Sequence, residues 1–575
     1  MMSAVDSESG DDMKIEWQRN VLWRQLCVAL LSMALLTAPV FASQQQQAVA
    51  PASATTLSAS ERELGASVHA ETIKEVVAAL SSDEMQGRGT MQPGGERAAS
   101  YIAERFSKLR LKPLGDKNSY LQTINFREMV FTPETSLKVG DEALKPGSDF
   151  FVAPPFSGDK TVSGELVFVA YGLVSSVPKR DDLAGIDVKG KIVVMIEGPP
   201  KNIDKASWGK AEAQINILRG LIRQGAAGLI FVSNGTEAHP YEELADYMTR
   251  RQIEMADGVE PDLSFLPPFL NVSNKAAEKF FAASGVSFTQ ALTQAESNSF
   301  TPFSLKKSAQ IIVKVKKTKG TGSNVVGLLE GSDPKLKAEA VVFTAHYDAY
   351  GVGANDRIYH GAADNALGVG EMIAIAEALS KSSLRPRRSL IFLALTGEEY
   401  GGYGSQYWVN NPTWKINQVA ADLNFDGMGT EVYGPVKTLV GFGAEHSNLG
   451  SMLNDVAAAH GLKVIADPMP DEKAFYRSDH YFFVKKGVPA LMLLGAPEGE
   501  TSAWVERMKK WEKTDYHQPG DIIRPDWSWE GARMMAVTGV VLGLRIANSE
   551  QMPAWLSSSP FNRERGTNAS APPEP

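Results

Sequence analysis

Seven polar residues at five separate places in the chain are of the types that hold or assist a divalent cation. His346 and Asp348 close the apolar run AVVFTA, and Asp364 lies in GAADNALG, just ahead of a helical pattern. Glu398 and Glu399 stand side by side after SLIFLAL, Asp426 closes VAADLNF, and His517 lies in the turn TDYHQPGD. Two adjacent carboxylates repel each other, and burying either is costly unless a cation or a proton compensates. Taken singly, each residue has an ordinary explanation: a satisfied polar pair, a residue near a helix N-cap, a solvated loop, a turn, a surface histidine. Together they bring His, Asp, Glu and Asp to the ends of successive apolar segments, with no matching basic residues to neutralise them. One cation, or two, is the economical compensation, with one glutamate as ligand and its neighbour as base. His346 and Asp348 are two apart in an extended segment and so face the same way. Asp348 can then accept the second ring N–H of His346 or fix the local backbone.

Such residues need elements that bring them together. From Ser323 onward the chain alternates apolar strands (NVVGLLEG, AVVFTAHYD, SLIFLALTGEE, VAADLNFDG, VPALMLLG) with helical runs such as NALGVGEMIAIAEALSKS and EGARMMAVTGVVLGLRIANS. Continuous apolar strands alternating with helices predict an α/β domain, with a mixed, largely parallel sheet flanked by helices. In such sheets functional groups gather at the carboxyl ends of the strands, where this set falls. Earlier in the chain, ETIKEVVAALSS and GGERAASYIAERFSKLRL predict two amphipathic helices. The glycine-rich QGRGTMQPGG between them reads as a simple connector. Between about 150 and 315 the texture changes to short β-branched runs, GELVFVAYGL, GKIVVMIEG and AAGLIFVSN. These predict a small β-rich α/β domain with its own core; no phosphate-loop pattern is present.

The expected organisation is a signal peptide at 1–42, a flexible leader at 43–68 and a first catalytic-domain segment at 69–150. An inserted domain at 151–317, the main catalytic segment at 318–550 and a disordered tail at 551–575 follow. The signal rests on Lys14, Arg19 and Arg24 ahead of LCVALLSMALLTAPV, closed by Val40-Phe41-Ala42. A short membrane anchor is the competing reading, and MKIEWQRN offers Met13 as a more ordinary start. Cys27 is the only cysteine among 575 residues, so a chain cleaved after Ala42 has no thiol to bind metal. The net charge of -9 gives no basic footprint for nucleic acid.

The set HYD, GAADNALG, TGEEYGGYGS, NFDGMG and YHQPGD closely resembles the secreted co-catalytic zinc aminopeptidases, the aminopeptidase Y/S-like, leucyl-type exopeptidases. The resemblance covers about 70–150 and 318–548. GELVFVAYGL, DLAGIDVKGKIVVM and GAAGLIFVSN resemble the protease-associated domain often inserted in that family. The resemblance implies that Asp364 bridges two zinc ions, with His346 and Asp426 on one and Glu399 and His517 on the other. It implies Glu398 as general base and acid acting on a water held between the metals, Asp348 as the residue orienting His346, and Tyr516 as an aid to the carbonyl oxygen. SDHYFF resembles a segment near the substrate pocket, which makes Asp479 a pocket candidate.

The implied protein is exported, periplasmic or extracellular, and off the membrane once its signal is removed. It cleaves the first residue from peptides with a free N-terminus. Cobalt or manganese in place of zinc stays open. So do a one-metal glutaminyl cyclase, a carboxypeptidase using Arg477 to hold a carboxylate, and a non-catalytic binding protein.

Overall fold

The computed structural model describes residues 56–567, apart from 177–178, 202, 204–210, 234–239, 257–261, 354–355 and 498–500. The proposed signal peptide lies outside the described residues. Among those described, no helix is long and apolar enough to cross a membrane. The chain divides into two compact units.

The larger unit comprises the described residues within Gln45–Arg127, Ile253–Asp257 and Lys319–Pro575. Its sheet has ten strands among the described residues. In spatial order they are Gln252–Met255, Leu121–Phe131, Val315–Leu329, Ser389–Leu395, Ala340–His346, Val419–Phe425, Ala490–Ala496, Thr438–Phe442 and Lys463–Ile465, with Lys112–Pro113 pairing Val315–Leu329 off this path. The four strands from Ser389–Leu395 to Ala490–Ala496 run parallel to their neighbours. Antiparallel neighbours flank them on both sides. The mixed, largely parallel α/β sheet expected from the sequence is therefore present. All four parallel strands are buried from end to end, which is why they read as unbroken apolar runs and not as alternating ones.

The helices that position the site follow from their patterns. Ala70–Leu80 buries Ile73, Val76, Val77 and Leu80 at helical spacing. Pro93–Lys108 starts with proline in its first turn and buries Ala98, Ile102 and Phe106. The long helix Trp529–Asn548 lies close against the sheet through small residues. A Cβ at Gly539 would come within 2.5 Å of the Phe425 ring, and one at Gly543 within 2.3 Å of the Phe343 ring. Those phenylalanines belong to the strands that end in Asp426 and His346, so this close approach fixes both strand ends from behind.

Two segments depart from expectation. Part of the expected leader is ordered: Ser58 and Glu61 form a reciprocal capping box on the helix Ala59–Ala66. Part of the expected tail is packed: Phe561 is buried, and Trp555 Nε1 donates to the Gly487 carbonyl at 3.0 Å. In both cases composition suggested loose chain, and a few well-placed residues anchor it.

The smaller unit contains Glu128–Gln252 and Gly258–Thr318. Its main sheet has eight strands among the described residues, in spatial order Glu142–Leu144, Ser136–Val139, Phe303–Val313, Lys160–Phe168, Ile192–Ile196, Gly228–Val232, Phe269–Val272 and Phe150–Val152. Lys160–Phe168 through Phe269–Val272 are parallel. Separate apolar clusters line its two faces.

Candidate metal centre

Three adjacent parallel strands deliver the first part of the site. Ala340–His346 lies in the middle and ends in His346; Ser389–Leu395 leads into Glu398 and Glu399, and Val419–Phe425 into Asp426. Asp364 arrives from the turn ahead of helix Gly368–Lys381, and its peptide to Asn365 is cis. His517 comes from the loop after helix Thr501–Thr514.

All five ligand candidates converge, in two groups that share Asp364: His346, Asp364 and Asp426 form one, and Asp364, Glu399 and His517 the other. Asp364 Oδ1 is 3.2 Å from His346 Nε2, and its Oδ2 is 3.3 Å from His517 Nε2. His346 Nε2 also lies 3.3 Å from Asp426 Oδ1, and His517 Nε2 lies 3.0 Å from Glu399 Oε2. The two glutamates reach different imidazoles: Glu398 Oε2 is 3.9 Å from His346 Nε2.

Burial alone would raise the Asp364 carboxyl, but hydrogen bonds from the two histidines overcome that and hold it low. Burial opposes charge on His517, yet Glu399 and Asp364 raise it to about 9. Glu398 is pushed well above the usual carboxylate range, first by burial and then by the charges of Asp426, Asp479 and Glu399, with His346 opposing. That is the environment of a carboxyl suited to exchanging protons.

The donor set fits divalent cations. Both imidazoles aim Nε2 at carboxylate oxygens, His346 at Asp364 and Asp426 and His517 at Asp364 and Glu399, a cluster of acceptors around each ring that a cation would join. A nitrogen-and-oxygen set without thiolate suits zinc and also accommodates cobalt or manganese.

The supporting residues are as specific as the ligands. His346 Nδ1 faces the Asp348 backbone carbonyl at 3.2 Å, while the Asp348 carboxylate is 3.8 Å away. That carboxylate accepts the Glu398 N–H at 3.1 Å and the Thr90 hydroxyl at 3.2 Å. Asp348 thus touches His346 through its main chain and the Glu398 loop through its side chain. Ser478 donates to Asp426 Oδ2 at 2.6 Å, and Tyr350 Oη lies 3.2 Å from His517 Nδ1. Asp521 accepts the backbone N–H groups of Ala363 and Asp364 at 2.8 and 2.9 Å.

Tyr516 stacks on His517 with ring centroids 3.6 Å apart. Arg477 is exposed and paired with Glu472 at 3.5 Å, so its charge is already engaged. Asp479 is fully buried, and burial drives its carboxyl up to about 7. It underlies the site and does not form an open pocket wall. The sequence reading missed Thr90, Tyr350 and Asp521, and gave Ser478, the first residue of SDHYFF, no role of its own. It also missed the QGRGT loop, read as a connector, which reaches Asp348 through Thr90. Asp521 stands in the same YHQPGD motif as His517, and that proximity was the one available signal.

Residues 324–540 match the model of Peptidase family M28. A vacuolar membrane protease of Clavispora lusitaniae is 35% identical over 107 residues, which are 19% of this chain and 9% of that protein. A probable leucine aminopeptidase 2 of Aspergillus oryzae is 27% identical over 228 residues, 37% of this chain and 42% of the relative. The matched region thus spans less than half the length of either relative. The solved structure of an aminopeptidase from Aneurinibacillus sp. strain AM-1 superposes with a TM-score of 0.54 at 20% identity, covering 85% of this chain and 96% of that one. It shares the fold.

Proposed function

We propose that this chain is an exported, zinc-dependent aminopeptidase that removes the first residue of peptides with a free N-terminus. The observation that carries the reading is the Asp364 carboxylate, whose two oxygens each face a different histidine-centred group of ligands. Asp364, His346 and Asp426 would hold one cation, and Asp364, Glu399 and His517 the other. Zinc ions held by these residues would polarise a carbonyl and supply a nucleophile from water at neutral pH.

The chain's own residues do the rest. Glu398 takes a proton from the attacking water and returns it to the leaving amine. Asp348 fixes the Glu398 backbone, and Tyr516, which stacks on His517, would act as the aid to the carbonyl oxygen. The name of the Aspergillus oryzae relative supports the same class. The smaller unit, 151–317 in the sequence reading, is proposed as a protease-associated type of insert.

The test is hydrolysis of aminoacyl-p-nitroanilides with and without a chelator. The reading expects activity that the chelator removes and zinc restores, and none on N-acetylated substrates. Cleavage only of substrates with a blocked N-terminus, or chelator-resistant cleavage, would contradict it.

A further inference from the structure

Arg88, in the QGRGT loop, is among the largest fully buried side chains of the protein. Its guanidinium donates to four backbone carbonyls: Nε to Tyr347 at 2.5 Å, Nη1 to Leu80 at 2.8 Å and His360 at 2.5 Å, and Nη2 to Gly361 at 2.8 Å. Among the described residues no carboxylate pairs with it directly. Asp521, Asp348, Glu399 and Asp364 act on it as charges from further away. Burial lowers its pKa to about 10 and those four oppose the fall, so it stays a cation at neutral pH.

The positions of the acceptors matter. Tyr347 stands between His346 and Asp348, and Gly361 opens the turn that carries Asp364. One planar fork therefore ties the end of the His346 strand to the Asp364 turn, with Leu80 at the end of helix Ala70–Leu80 as the third anchor. The fit is close: Gly361 has φ +58°, and a Cβ there would lie 2.7 Å from Arg88 Nη2. Two places later in the same loop, Thr90 bonds Asp348.

We propose that Arg88 is a positioning residue for the metal centre, setting the spacing between His346 and Asp364 and placing a fixed positive charge beneath the site's carboxylates. This rests on the two-metal reading above. It gives the glycine-rich loop a role that no ligand or base requires. Lysine cannot replace the arginine, because an ammonium has no planar fork to span three backbone segments.

Zinc affinity, measured by competition with a chromophoric chelator, and thermal unfolding test this on the full chain. The variants are Arg88→Met, Arg88→Lys and, as a control, Arg388→Met. Arg388 is equally buried and bonds Glu339, Ile546 and Ser549, away from the ligands. The expected result is zinc affinity weakened by about 10–100-fold in both Arg88 variants, the size seen when groups supporting metal ligands are lost. Arg388→Met should lower the unfolding temperature and leave zinc affinity unchanged. If Arg88→Met does not fold, Arg88→Lys decides. Arg88 variants that lose thermal stability but keep wild-type zinc affinity overturn the proposal. A wild-type chain that binds no zinc overturns the metal reading on which it rests, and the two failures are told apart by the wild-type measurement alone.

Discussion

Both carboxylate oxygens of Asp521 are taken by backbone N–H groups of the Asp364 turn, one from Asp364 itself at 2.9 Å and one from Ala363 at 2.8 Å. A carboxylate is an acceptor only, so it matches two converging donors. An amide presents one oxygen and one NH2. Asp521→Asn would set N–H against N–H in a buried place. We expect a stability loss of about 2 kcal/mol, read as a lower unfolding midpoint in urea, together with weaker metal binding at both candidate positions, since Asp364 belongs to both ligand groups.

The shared position of Asp364 makes a prediction of its own. Asp364→Ala should lose both cations together, whereas His517→Ala should lose only the one it faces. Metal content of the purified variants, measured by atomic emission, separates these outcomes. Equal loss in both variants would argue that the two groups of ligands are not distinct sites.

Glu398 reaches toward His346 but stands outside both ligand groups. Glu398→Gln should therefore keep metal content and unfolding temperature and lower kcat by about 10²–10⁴-fold, the range for removing a general base. Loss of metal in this variant would make Glu398 a ligand instead.

These supporting contacts explain what was legible in the sequence. The ligand candidates could be read because each sits at the end of a fully buried strand or beside a turn, and long apolar runs are strong local signals. Arg88 and Tyr350 could not be read, since their partners lie far along the chain: Arg88 meets Tyr347 across 259 residues and Tyr350 meets His517 across 167. Nothing in local pattern marks an arginine for burial. The short strands Thr438–Phe442 and Lys463–Ile465 were not anticipated either, being too brief to stand out by periodicity. The ordered parts of the leader and tail each depend on a few residues, Ser58 with Glu61 and Trp555 with Phe561, set in otherwise polar surroundings.

His480 gives the fold a pH dependence outside the ligand set. It is fully buried, edge-on to Phe475 at 5.3 Å, and burial pulls its pKa down to about 3 from the ordinary 6.5. The unfolded chain binds a proton there below pH 6.5 and the folded chain does not, so this group costs stability as pH falls from about 6.5 toward 3. Its limiting slope is about 1.4 kcal/mol per pH unit. His480→Gln should flatten the urea-unfolding free energy between pH 6 and 4 by about that slope. An unchanged slope would show that His480 can take up its proton in the folded state.

The measurement that bears most directly on the central claim is a zinc titration of the chelator-stripped chain with leucine p-nitroanilide hydrolysis as the readout. The account predicts that activity rises with added zinc and levels off at two equivalents per chain. A plateau at one equivalent, or activity independent of zinc, would contradict the two-cation centre built around Asp364.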